Sequence, residues 1–472
     1  MTNGSPSNKR RAGPRRGGER AGPSSPPPRA GDAARALAVS ACARVEREGL
    51  FLDAAFEAER AQFEALSPPD RGLARALAFA YWRRRGGIEA LIAERVETPP
   101  EDPAPWILRL AVAELALRPE AAHGIVDSAV RRTKAVAPRA GGLVNAVCRR
   151  IAERLAATPE AAGPSAPDWF RAALEADWGA AEAAAILAAH ARGAPLDLTP
   201  DPRRTSAEAL AASLDGDATP TGSVRLDARG AITALPGFDE GAWWVQDAAA
   251  ALPARLAASG LAKGDRALDL CAAPGGKTLQ LATAGLAVSA VDLSEARMAV
   301  VRENLARVGA EADLIVADAL DWAGPSGFDA VLLDAPCSAS GTVRRHPELP
   351  WLKQDWIAGA EGEGRAGAGL AGLTALQDRL LDAAWARVRP GGRLVFCTCS
   401  LFKAEGEDRS DAFFARTPDA RLEPISAEEL GDPSLVAVLL DAEGRLRCRP
   451  SAWPKAGGLD GFFAVRARRA RG

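Results

Sequence analysis

Leu268-Asp269-Leu270-Cys271-Ala272-Ala273-Pro274-Gly275-Gly276-Lys277-Thr278 runs from an apolar strand through a tight turn into a helix start, and its reading decides the fold. Two ligands suit such a turn. A phosphate-binding loop needs a glycine five positions before Gly276, and Cys271 stands there, so the backbone cradle for a triphosphate is incomplete. A nucleoside-binding turn of the Rossmann kind needs only glycines that let the backbone approach a ligand at a helix N-terminus. The next apolar run, Ala287–Val291, leads into Asp292, about twenty residues on, where a carboxylate can accept from ribose hydroxyls. A third run, Asp313–Val316, leads into Asp318. Aspartates at strand ends also cap helices, so these two gain meaning only beside the glycine turn.

Two further runs follow, Ala330–Leu333 and Arg393–Thr398, with helical patterns from Leu279, Glu295 and Leu373 between the runs. Short apolar runs alternating with helices predict an α/β domain on a doubly wound, mostly parallel sheet over residues 241–472. Gly359–Gly372 reads as a Gly/Ala-rich loop or insert within it. The fourth run ends at Asp334-Ala335-Pro336-Cys337-Ser338 and the fifth at Cys397-Thr398-Cys399-Ser400. In the usual strand order these two are neighbours, which predicts that Cys337 and Cys399 converge at the ligand crevice, with Asp334 between them and the ligand. Two thiols beside a nucleoside site suit the alkylation of a pyrimidine at C5. A thiolate that adds to C6 turns C5 into a nucleophile, and its later expulsion restores the ring. With three histidines in the chain and no Cys-x-x-Cys pair, metal ligands are not expected.

Upstream, Ala33 to about Ala157 is helical nearly throughout. Ala36–Leu52 and Leu73–Val96 have apolar residues at three- and four-residue spacing, and Pro105 opens another helix. We read residues 33–158 as an all-helical domain, with Cys42 and Cys148 as buried packing residues. Residues 159–240 read as a linker, Thr158–Pro167, then a helix from Trp169 and a small α/β subdomain containing Val224–Leu226. Residues 1–32 hold Lys9, Arg10, Arg11, Arg15, Arg16, Arg20 and Arg29 against Glu19 and Asp32, which predicts a disordered basic tail able to grip a polyanion.

The 472 residues carry a formal net charge of only −2, from 59 Lys+Arg and 61 Asp+Glu, which excludes a uniformly basic coat for nucleic acid. Positive charge instead gathers at the two ends of an acidic body, since residues 442–472 add seven arginines and Lys455 against Glu443 and Asp460. No run of eighteen apolar residues occurs, and nothing near Met1 has the apolar core of a signal peptide. Seven cysteines, an odd number, read as reduced thiols, so the expected setting is cytoplasmic with no membrane partner.

Leu268–Thr278, Asp334–Ser338 and Cys397–Ser400 resemble the signature motifs of the Sun family of S-adenosylmethionine-dependent RNA cytosine-C5 methyltransferases. Val245-Gln246-Asp247, the stretch Gly341–Glu348, Arg447-x-x-Pro450 and Gly458–Phe463 agree with it, so the likeness covers about 240–465. The helical domain, with Leu143-Val144-Asn145-Ala146-Val147-Cys148-Arg149, is similar to the RNA-binding antitermination factor NusB.

The resemblance implies a Rossmann-like class I methyltransferase domain behind a NusB-like domain, S-adenosylmethionine as cofactor and 16S ribosomal RNA as partner, acting as a monomer without DNA. It implies that Cys271, Ala272, Ala273, Pro274, Gly275, Gly276, Lys277, Asp292, Asp318 and Asp334 contact the cofactor, that Cys399 is the nucleophile, and that Cys337 helps resolve the covalent adduct. Another RNA such as tRNA, or a non-catalytic role in ribosome assembly, are the alternatives. The sequence departs from the family at Glu405-Gly406-Glu407, where Asn usually stands between the glutamates, at Thr199-Pro200-Asp201, and in Gly359–Gly372.

Overall fold

A computed structural model describes residues 1, 2, 4, 29–227, 230–353 and 369–471. Nearly all of the basic tail and most of the Gly359–Gly372 segment therefore lie outside the described residues.

The first unit is helical, with long helices at Asp32–Glu48, Pro68–Ala93, Ala104–Leu117, Ala122–Val136 and Gly141–Ala157. The first two begin four and five residues before the sequence pattern predicts. Asp32 opens the first by accepting from Ser128 Oγ (2.9 Å) and Arg131 (2.6 Å) across the bundle. Ser67 caps the second, accepting from Asp70 N at 3.3 Å, and Pro68-Pro69 occupy its first turn. Proline is pre-organised there and has no N–H to orphan, so it starts this helix rather than separating two. Tyr81, Trp82 and Trp106 pack edge to face in the core, with fully buried Cys42 and Cys148 nearby.

A helix kinked at Gly179, Asp168–Arg192, leads to a small antiparallel sheet of β1 (Leu196–Pro200), β2 (Asp217–Ala218), β3 (Val224–Leu226) and β4 (Trp243–Val245), ordered β2-β3-β1-β4. Because β4 pairs with β1 through Trp244↔Thr199, this sheet crosses the boundary that the change of hydrophobic pattern places at residue 240.

The large sheet contains β5 (Arg266–Leu270), β6 (Ala287–Asp292), β7 (Asp313–Val316), β8 (Phe328–Asp334), β9 (Val388–Thr398), β10 (Ala420–Leu422), β11 (Leu446–Cys448) and β12 (Phe462–Arg469). Its order is β10-β12-β9-β8-β5-β6-β7, with β11 also on β12. The five predicted runs are β5 to β9, all mutually parallel, so the domain is a Rossmann-like α/β sheet as expected. Period-two alternation shows why they read cleanly: Ala267 packs on one face with Ala330 and Leu332, while Leu268 and Leu270 pack on the other with Leu333 and Phe396. β12 runs antiparallel to β9 and was not predicted, since Arg466, Arg468 and Arg469 interrupt its apolar pattern. Each is paired, Arg466 with Glu429 (3.0 Å), Arg468 with Glu423 (2.5 Å) and Arg469 with Asp419 (2.9 Å). Arg445, Arg447 and Arg449 are likewise bound to Asp441, Glu407 and Glu182. The basic excess of residues 442–472 is thus largely neutralised within the fold, not displayed as a patch for RNA.

The helical unit docks on the chain that follows Cys337. Leu52 N donates to Glu348 Oε1 (3.0 Å), Arg83 to Arg344 O (3.1 Å), and Trp351 packs against the helical core. Among the described residues no helix is long and apolar enough to cross a membrane.

Candidate active site

The strand order places the C-terminal ends of β9, β8, β5, β6 and β7 side by side, and every residue implied in chemistry sits on one of them. After β5 the chain turns at Cys271, a non-glycine residue with φ +60°, and at Gly275, φ +99°, before the helix Gly276–Thr283 begins. A left-handed cysteine costs about 1–3 kcal/mol of strain, and such strain gathers where a turn must face a ligand. Neighbouring side chains crowd both glycines. A Cβ at Gly275 would stand 3.0 Å from Val301 Cγ1, and one at Gly276 3.3 Å from Gln246 Nε2.

Asp292, at the end of β6, ties the turn down by accepting from Ala273 N (3.1 Å) and Ser294 N (3.0 Å). Beside it, Ala317 N donates to Asp292 O (3.1 Å), and exposed Asp318 accepts from Leu320 N (2.9 Å). Lys277 crosses from the helix to β8, where its Nζ donates to Asp334 Oδ2 at 2.7 Å. Burial works against the Lys277 ammonium, but Asp334 outweighs it and holds the pKa above the ordinary lysine value. On the other carboxylate oxygen, Asp334 Oδ1 accepts from buried Cys397 (3.5 Å). Beneath the turn, fully buried Asp269 accepts from Thr278 Oγ1 at 2.6 Å, while its Oδ1 has no partner among the described residues. Burial pushes this carboxyl up to about 7, against the pull of the Thr278 hydroxyl.

Cys337 and Cys399 meet as their strands require, sulfur to sulfur at 3.4 Å. The Cys337 thiol is held well above the ordinary thiol pKa, first by its hydrogen bond with Cys399 and then by burial. Around the pair the structure adds residues to which the sequence reading assigned no role. Ser338, Ser340 and Ser400 form a buried triangle of hydroxyls at 3.0–3.2 Å. Arg344 and Arg345 face Asp247 and Asp460 in a buried ionic quartet, with Arg345 to Asp247 at 2.7 Å and Arg344 to Asp460 at 3.1 Å. All four members lie in stretches singled out by motif, but pairing between residues about 100 apart leaves no periodic signal.

The donor set fits S-adenosylmethionine. Asp292 and Asp318, at successive strand ends, would offer carboxylate oxygens to the ribose hydroxyls and an amino group of such a cofactor, and Asp269 Oδ1 is without a partner among the described residues under the same turn. Asp334, 30% exposed, completes an acidic rim suited to a cationic donor. A doubly wound sheet with this turn and these strand-end acids defines an S-adenosylmethionine-dependent methyltransferase, here carrying a helical domain in front.

Comparison with known proteins narrows the class. Residues 258–468 match the 16S rRNA methyltransferase RsmB/F family, and residues 32–153 match the NusB family. The ribosomal RNA small subunit methyltransferase B of Xanthomonas campestris pv. campestris is 37% identical over 84% of this chain and 91% of its own length. That of Pseudomonas putida is 35% identical over 85% and 91%. The crystal structure of PH0851 shares the fold over 94% of this chain and 99% of its own, with a TM-score of 0.70 and 23% identity. The chain belongs to the ribosomal RNA small subunit methyltransferase B family, and S-adenosylmethionine is its cofactor.

Proposed function

We propose that this enzyme methylates C5 of a cytosine in 16S ribosomal RNA through a covalent adduct between Cys399 and C6 of the base. The observation that carries the reading is the 3.4 Å approach of two thiols at the mouth of the nucleoside site. A single thiol would suffice to open the ring; a second beside it answers the later need to remove the C5 proton and close the ring again.

The hydrogen bond supports a division of labour. Cys337, whose thiol is held well above its ordinary pKa by the hydrogen bond with Cys399 and by burial, stands beside the sulfur that the family resemblance assigns as nucleophile, Cys399. The Cys399 thiolate adds to C6, and the displaced electron pair moves to C5. The bound cofactor supplies an electrophilic methyl group to that carbon. The Cys337 sulfur then takes the C5 proton as its own proton passes to solvent, the C–H electron pair re-forms the C5=C6 bond, and the C6–S bond breaks to release the Cys399 thiolate. Asp334, fixed by Lys277, presents a carboxylate at the same mouth to hold the base edge. A stacked base cannot reach these sulfurs, so the target is single-stranded or flipped from its helix.

Bisulfite sequencing of 16S ribosomal RNA from a deletion strain tests the assignment. One cytosine should lose its protection when the gene is removed and regain it with the intact gene. An unchanged 16S pattern refutes the substrate.

A further inference from the structure

The residue after each cysteine is gripped on two sides by buried charge, and one carboxylate joins the two grips. Glu405, with no solvent exposure, accepts from Ser338 N at 2.8 Å through Oε1 and from Ser400 Oγ at 2.6 Å through Oε2. Ser338 follows Cys337, and Ser400 follows Cys399. From the opposite side Lys353 Nζ donates to Ser338 O at 2.5 Å, and Arg447, held by Glu407, donates to Ser400 O at 2.6 Å. Gln377 adds a bond to Glu405 (3.2 Å) and one to Pro336 O (2.9 Å). Glu405 therefore reaches both cysteine loops directly, and Glu407 reaches the Cys399 loop through Arg447. The glycine between them also has a local reason, because a Cβ there would stand 2.8 Å from Phe463 Cγ.

We infer that Glu405, acting with Lys353, is a positioning residue that holds Cys337 against Cys399 and thereby governs resolution of the adduct rather than its formation. The inference rests on the covalent reading above.

The asymmetry comes from redundancy. Cys399 lies one residue beyond β9; its carbonyl accepts from Gly341 N (3.0 Å), and Ser400 keeps its bond to Arg447 if Glu405 is lost. The Cys337 side is a loop whose bonds from Lys353 and Gln377 hold carbonyls, and the Glu405 carboxylate is the acceptor for its Ser338 N–H. Glutamine at 405 keeps the size, and its NH2 can meet Ser400 only if that hydroxyl turns to accept, so both bonds lose the carboxylate charge that makes them short and strong. The loop side, where the carboxylate is the acceptor for Ser338 N, loosens most.

The test compares the parent, Cys337→Ala, Glu405→Gln and Lys353→Met on 16S ribosomal RNA, with melting curves to establish folding. For Glu405→Gln, methylation in the first turnover should proceed at the parental rate and KM should stay within about twofold, while steady-state kcat falls by about tenfold or more. Denaturant-resistant enzyme–RNA adduct should accumulate as it does with Cys337→Ala, and Lys353→Met should follow in weaker form. A second measurement needs no RNA. Mild oxidation with diamide, followed by digestion and mass spectrometry, should link Cys337 to Cys399 several-fold more slowly in Glu405→Gln than in the parent. If first-turnover methylation falls as far as steady-state turnover, or if turnover and sulfur linkage match the parent, the inference is overturned. If neither the parent nor Cys337→Ala forms any adduct, the covalent reading itself fails, a result the oxidation measurement keeps separate.

Discussion

The Cys337 and Cys399 sulfurs stand 3.4 Å apart although 62 residues separate them in sequence. Their meeting follows from topology, because β8 and β9 are parallel neighbours paired Asp334↔Cys397 and each cysteine lies just beyond its strand. The roles proposed for the two thiols are unequal, and the inequality is testable. Cys399→Ala should abolish methyl transfer, a loss of several orders of magnitude in kcat, if Cys399 is the sulfur that adds to C6. Cys337→Ala should still form the adduct but release it slowly, leaving enzyme joined to RNA on a denaturing gel. Retained turnover by Cys399→Ala would refute the assignment.

The quartet of Arg344, Arg345, Asp247 and Asp460 anchors the chain between Cys337 and the helical unit to the C-terminal strand. Arg344 is completely buried and also donates to Gly457 O at 2.5 Å. Removing one member of a buried ionic cluster leaves uncompensated charge and costs about 3–5 kcal/mol. Arg344→Met should therefore lower the unfolding free energy by about that amount, as read by urea denaturation. Arg345, 27% exposed, shares both carboxylates but can be partly replaced by water, so Arg345→Met should cost less.

How much of this was legible in the sequence depends on the range of the interaction. The turn after β5, Asp292, Asp334 and the two cysteines could be read because each lies at the end of an apolar run, and parallel topology brings run ends together. Lys277 was assigned to the cofactor with its neighbours, but its bond to Asp334 spans 57 residues and leaves no local pattern. Glu405 appeared only as part of a departure from the family pattern, and its grip on both loops emerges from packing alone. β12 was hidden for a different reason. Its arginines read as surface charge, whereas acids from other elements pair with each of them and bury Arg466.

His190 predicts a sensitivity to acid. It lies within the helix Asp168–Arg192 against Phe170, with ring centroids 6.0 Å apart, and neither ring nitrogen has a partner among the described residues. Burial, with a smaller contribution from the Arg344 charge, lowers its pKa from 6.5 to about 3. The unfolded chain therefore binds a proton that the folded chain refuses between these values. The stability this residue contributes is complete above about pH 6.5 and is lost as pH falls toward 3, by up to about 1.4 kcal/mol per pH unit. His190→Phe should melt increasingly higher than the parent as pH drops from 6.5 to 4. Parallel melting curves across that range would contradict the buried neutral state.

Asp269 predicts the opposite trend. Its carboxyl is raised from 3.8 to about 7 by burial, so the folded chain holds a proton there that the unfolded chain has already lost. Stability from this group is complete below about pH 4, declines as pH rises through 7, and is flat beyond. Asp269→Asn can still accept the Thr278 hydroxyl and does not titrate. At pH 4 the variant should melt at or below the parent, having exchanged one acceptor for an unpartnered amide. From pH 4 to 7 the difference should move steadily in the variant's favour, by up to about 1.4 kcal/mol per pH unit, and then level off. Adding S-adenosylmethionine should alter the parent's profile if the orphaned Oδ1 gains a partner when the turn is occupied. Thermal melts at half-unit steps from pH 4 to 9, with and without the cofactor, measure both effects, and a pH-independent difference would show that Asp269 ionises normally under the turn.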